Sequence, residues 1–118
     1  MPALVRPHGG GPLRPLLVPE AARASEVERA KSLAKVPLSS REVSDLFMLA
    51  MGAYTPLDGF MGQDDWRRCC TDMTTGSGLF WPIPITLSCD EDVARGIAIG
   101  KEIALVDGVF RYPRCICV

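Results

Sequence analysis

The residues with chemical potential are few and scattered. His8-Gly9-Gly10-Gly11 sets the chain's single histidine beside three glycines. Such a run can bend into a concave nest of backbone amides that holds an anion. The phosphate-loop pattern is missing, because no Lys-Ser/Thr pair opens a helix just after the glycines. A turn is the simpler reading, and His8 has no acid, nucleophile or metal-ligand partner near it in sequence. Five cysteines, Cys69, Cys70, Cys89, Cys115 and Cys117, are odd in number and lack the C-x2-C spacing of a zinc site. With one histidine in the chain a four-ligand centre is hard to assemble, so they read as reduced thiols, mostly small core residues. Arg67-Arg68 can contact phosphate, but two arginines in a row are usually solvated charges. No catalytic, cofactor-binding or metal-ligating residue is assigned, and no cofactor is expected in this chain.

Composition narrows the classes further. The chain has 118 residues, 47% apolar and 23% charged, the proportions of one globular domain with a real core. Thirteen basic against fourteen acidic residues leave a net charge of −1. No bulk field therefore draws it to nucleic acid or an anionic membrane. No apolar run approaches the ~20 residues that span a bilayer. The opening MPALVRPHGGG lacks the apolar core of a signal peptide, which leads us to expect a cytoplasmic location.

Local order is clearest from Leu38 to Gly62. Ser39 followed by Glu42 makes a capping box, and Val43, Leu46, Phe47 and Ala50 draw one apolar stripe down a helix. Gly52 stands where a left-handed cap belongs. Pro56 fixes φ in the aromatic-rich turn that follows, and Gly59 and Gly62 are able to take positive φ. Upstream, prolines exclude an N-terminal helix, leaving Leu4-Val5 and Leu16-Leu17-Val18 as edge strands. Pro19 and Glu20 open a helix running to about Lys35. A third helix spans about Gln63 to Met73, capped by Asp64, with Trp66, Cys69, Cys70 and Met73 on its apolar face. Strict alternation from Trp81 to Cys89 predicts a strand with Ile83, Ile85, Leu87 and Cys89 on its buried side. Asp90 caps a short turn through Val93, and Glu102–Val106 is a second strand. Asp107-Gly108 turns the chain into an antiparallel return over Val109–Tyr112. The expected fold is α+β, with about three helices and a small, mainly antiparallel sheet.

Four stretches together carry a family resemblance. They are Leu4-Val5-Arg6-Pro7-His8-Gly9-Gly10, the run Leu38-Ser39-Ser40-Arg41-Glu42-Val43-Ser44-Asp45-Leu46, then Ala53-Tyr54-Thr55-Pro56-Leu57-Asp58-Gly59-Phe60-Met61-Gly62, and Gly78-Leu79-Phe80-Trp81-Pro82-Ile83-Pro84-Ile85-Thr86-Leu87. In this order they resemble the N-terminal domain of sulfate adenylyltransferase (ATP sulfurylase), from Leu4 to about Gly108. The resemblance implies a PUA-like pseudo-barrel of mainly antiparallel strands with helices packed around it. It also implies an enzyme whose following nucleotidyltransferase domain joins sulfate to the α-phosphate of ATP, with ATP, usually with Mg, as substrate. That domain carries a Gln-x-Arg-Asn segment and a histidine pair, neither of which occurs here, so no catalytic residue is carried over. Residues 109–118 depart from the family pattern and read as a divergent tail, out of frame, with the catalytic domain absent.

The resulting expectation is an N-terminal domain fragment, inactive alone. Its partners would be the missing catalytic domain and, in the full-length form, further copies of itself. No nucleic acid or membrane partner is expected. Two alternatives belong to other classes: a stand-alone PUA-like RNA-binding module, and an assembly or docking domain presenting the Tyr54–Gly62 turn and Trp81-Pro82.

Overall fold

The computed structural model describes residues 3–107 and the strand Ile116–Cys117. Its elements run α1 (Glu20–Ala30), β1 (Ala34–Leu38), α2 (Ser40–Ala50), α3 (Gln63–Asp72), α4 (Glu91–Arg95), β2 (Ile103–Asp107) and β3 (Ile116–Cys117). The class is α+β, as expected. Two compact units are formed, one from Met1–Leu17 and Asp45–Leu87, the other from Val18–Ser44 and Ser88–Val118. The division falls within α2. No helix among the described residues is long and apolar enough to cross a membrane.

The unit containing the sheet corrects the expected strand pattern. Strand β1 pairs with β2 in parallel, Val36 opposite Leu105, and β2 pairs with β3 antiparallel. The sheet is therefore mixed rather than mainly antiparallel. Helix α1 stops at Ala30 instead of continuing to Lys35. Lys31, Ser32 and Leu33 donate to the carbonyls three residues back, which tightens the last turn and releases the chain. Extended backbone then suits Val36, and Pro37 is tolerated because β1 lies at the edge of the strand order β1-β2-β3. Ala30, Val36, Leu38, Ala104 and Leu105 are buried. The charged face of α1 is solvated, with Arg29 bonded to Glu26 at 2.8 Å and also paired with Glu102. Helix α4 is a fourth, single-turn helix beyond the three expected. Asp90 stands at its N-cap without a side-chain bond. The expected return over Val109–Tyr112 and the 109–118 tail, apart from the backbone of β3, lie outside the described residues.

The other unit is built without a strand ladder. Leu49, Leu57 and Ile85 form its buried centre, with Tyr54, Phe60, Met61 and Trp81 packed against them. Trp81–Cys89 was expected to be a strand, but it forms none and the chain bends at Ile83. Pro82 and Pro84 remove two amide donors, and the ladder does not form. Ile85 is buried as predicted, whereas Ile83 and Cys89 are exposed. The expected edge strands at Leu4-Val5 and Leu16–Val18 are likewise not strands. On α2 the apolar stripe is offset: Leu49 is buried and Phe47 half exposed. Helix α3 is capped by Gly62, in extended backbone with φ −72°, while Asp64 sits in its first turn without capping it. Neither Gly59 nor Gly62 uses its freedom to take positive φ. Of the predicted α3 face, Cys69 alone is buried, its thiol donating to the Trp81 carbonyl at 3.1 Å. Trp66, Cys70 and Met73 are exposed.

Glu42 is the strongest local feature. Its carboxylate is 1% exposed and accepts four hydrogen bonds. Oε2 takes the Ser39 amide at 2.8 Å and the Ser39 hydroxyl at 2.7 Å. Oε1 takes the Ser88 amide at 2.7 Å and the Ser88 hydroxyl at 2.6 Å. The Glu42 amide returns a bond to Ser39 Oγ at 3.3 Å, closing the capping box. Burial alone would raise the Glu42 pKa, but the bonds from Ser88 and Ser39 outweigh it and hold the group at about 2. A folded pKa below the unfolded value contributes stability above pH ~4.3, which is lost as pH falls toward 2. That difference corresponds to about 3 kcal/mol. Replacing Glu42 by Gln would turn an NH2 group toward one of the two serine amides, which can only donate, and would remove the charge. We predict that E42Q lowers unfolding free energy by about 2–4 kcal/mol at pH 7. The gap from wild type should shrink between pH 5 and 2, as read by urea unfolding at several pH values.

Candidate functional site

A cleft of about 500 Å³ opens in the unit that lacks the sheet. Three segments line it: Gly9, Gly11, Pro12 and Arg14 from the N-terminal strap, Thr55 and Pro56 after α2, and Ser77, Gly78 and Leu79 from a tight loop. The three-glycine motif of the sequence is thus brought to a concave surface. Arg14, Thr55 and Ser77 join it from positions that no sequence motif singled out.

Each segment is held by its own bonds. The strap is fastened to the end of α2, where Leu16 donates to the Ala50 carbonyl at 3.1 Å. The Arg14 amide donates to Thr55 Oγ1 at 3.0 Å, and that hydroxyl donates onward to the Gly52 carbonyl at 2.6 Å. Thr55 is buried, so both halves of its hydroxyl chemistry are satisfied within this knot. The Thr55-Pro56 peptide is cis. At the other end of the strap, His8 Nε2 lies 2.7 Å from the Phe80 carbonyl and its ring is 6.0 Å from Trp81. The 75–79 loop is closed by Thr75 and Leu79, whose amide and carbonyl meet at 2.8 Å, and by the bridge between Thr74 and Phe80. Gly78 turns it with φ +83°. From α3, Asp65 accepts the Gly76 amide.

The other residues of chemical interest do not gather here. Cys69 is buried in α3, where burial raises its thiol pKa, while Cys70 and Cys89 are exposed. Two exposed thiols correct the expectation of mostly core cysteines. Cys115 and the Cys117 side chain lie outside the described residues. Arg67 and Arg68 are solvated on α3, as read from sequence. Among the described residues no group of three His, Cys, Asp or Glu side chains could hold a metal. Tyr54 donates its hydroxyl to Asp45 at 3.0 Å and meets Trp81 edge-on, so the aromatic turn is engaged in packing.

Residues 5–111 match the family model described as PUA-like domain. The chain belongs to the PUA-like domain family. Curated relatives named sulfate adenylyltransferase match it along most of its length. The sulfate adenylyltransferase of Syntrophobacter fumaroxidans is 56% identical over 108 residues, covering 91% of this chain and 26% of that protein. That of Thiobacillus denitrificans is 52% identical over 107 residues, with the same coverage. Among solved structures, the hexameric APS kinase from Thiobacillus denitrificans superposes with a TM-score of 0.76 at 38% identity. It covers 90% of this chain, which spans 21% of that one. The chain thus spans about a quarter of the length of the curated relatives it matches. The resemblance carried by the four sequence stretches holds for this PUA-like domain.

The knot that seats Arg14 depends on Gly52. Its φ is +80°, and a Cβ there would stand 3.0 Å from the Pro15 nitrogen and 3.1 Å from the Arg14 carbonyl carbon. Neither obstacle is a movable side chain. G52A should therefore cost at least about 2 kcal/mol through left-handed backbone strain and displacement of the strap. Thermal unfolding followed by circular dichroism would show a Tm several degrees lower. An unchanged Tm would mean that the strap can move aside.

Proposed function

We propose that this PUA-like domain is the N-terminal part of a sulfate adenylyltransferase, the enzyme that joins sulfate to ATP to give adenosine 5′-phosphosulfate and pyrophosphate. The observation that carries the reading is the pattern of similarity: 50–56% identity along about nine-tenths of this chain, yet only about a quarter of each relative. In this reading the domain is a structural partner of the nucleotidyltransferase domain and performs no transfer by itself. The Gln-x-Arg-Asn segment and paired histidines associated with nucleotide binding in the family have no counterpart in its sequence, where His8 is the single histidine. The pseudo-barrel expected of a PUA-like domain belongs to the same proposal. So do a cytoplasmic setting for sulfate activation and assembly into a homo-oligomer, the last supported by the hexameric state that the similar APS kinase carries in its name.

Isotope exchange between ATP and pyrophosphate in the presence of sulfate tests the reading directly. The 118-residue chain alone should give no exchange above background. Fusing it to the remaining three-quarters of the Syntrophobacter fumaroxidans relative, in place of that protein's own matching segment, should restore exchange. Robust turnover by the isolated chain would overturn the assignment of a non-catalytic part. A soluble but inactive fusion would count against the domain relationship.

A further inference from the structure

We infer that the glycine-lined cleft is a binding site for a tetrahedral oxyanion, either free or as the terminal phosphoryl group of a larger ligand. The first support is charge. Arg14 is the one ionisable side chain among the described lining residues, and no carboxylate opposes it. The second is position. The Arg14 backbone is fixed by its amide bond to Thr55, and Nη1 reaches the Pro56 carbonyl at 3.4 Å, which ties the guanidinium to the wall of the cleft. A planar fork of donors so placed suits an oxyanion better than a mobile ammonium would.

The third support is bare backbone. Gly9 and Gly10 both take positive φ, +84° and +78°. A Cβ built at Gly11 or Gly78 would meet nothing within 4 Å, so these stretches of main chain border open space. The Gly10 and Gly78 amides already donate to the Pro7 and Thr75 carbonyls at 2.9 Å, so an anion here would meet the full charge of the guanidinium beside the Gly11 and Ser77 main chain. Ser77, whose hydroxyl lies 2.8 Å from Thr75 Oγ1, adds a side-chain hydroxyl at the same rim. The volume exceeds one sulfate or phosphate and leaves room for a phosphorylated ligand with an apolar part against Pro56 and Leu79. The site lies wholly within one unit of the chain, and the inference does not depend on the sulfate adenylyltransferase reading.

The test is an amide NMR titration of the 118-residue chain at constant ionic strength. Inorganic phosphate and sulfate form two arms, pyrophosphate and ATP two more, and sodium chloride serves as control. Saturable shifts confined to the cleft, with Gly11 and Ser77 foremost, are expected, R14Q weakening binding about tenfold or more and R14K weakening it to a smaller extent. Equal saturation by all four anions marks a free-oxyanion site. Tighter binding of ATP, with added shifts at Leu79, marks a nucleotide phosphoryl group. If R14Q does not fold, the wild-type shift map decides. The proposal is overturned by shifts that match the chloride control, by shifts elsewhere in the chain, or by unchanged affinity in folded R14Q.

Discussion

A buried carboxylate must be solvated by the protein or not be charged at all, and Glu42 shows the first solution. Four donors from two short segments, Ser39 and Ser88, converge on its two oxygens. The two serines come from parts of the chain far apart in sequence, so the carboxylate fixes where the segment entering α2 lies against the segment leading to α4. Hydrogen bonds to a charged group are the strong ones. A hydrophobic residue in this place would fill the space but leave two amides and two hydroxyls without acceptors.

Legibility from sequence followed the range of the interaction. The Ser39–Glu42 box and the left-handed Gly52 were readable because each is settled within a few residues. The second half of the Glu42 network was not, since nothing at Ser88 marks it as a partner of a residue 46 positions earlier. Strand β1 was missed for the same reason: Ala-Lys-Val-Pro-Leu has a proline in its middle and gains its ladder only from β2. The converse error came at Trp81–Cys89, where true alternation lacked the donors to become a strand. The glycine motif at residues 9–11 was visible, but its companions were not. Arg14, Thr55 and Ser77 carry no spacing signature, and the structure alone assembles them.

The cleft and the core depend on one another through the end of α2. Gly52 ends the helix, allows the strap to pass close by, and lends its carbonyl to Thr55. Thr55 in turn seats Arg14, while Leu57 two residues later fills the buried centre. Packing and polar geometry are therefore specified by the same short stretch, which also contributes to the family resemblance. Similarity in that stretch reports a structural knot and does not by itself report chemistry.

The parallel pairing of β1 with β2 has a kinetic side. Residues 39–102 all lie between the two strands. Their register can be established only after a long loop closes, against an entropy that local contacts do not repay. The helices and the Ser39–Glu42 box can form early, whereas the buried Val36–Leu105 pairing must come late. Until then β1 presents an unsatisfied edge. Refolding of this chain should therefore be slow for its length, and most exposed to misassociation between collapse and strand docking.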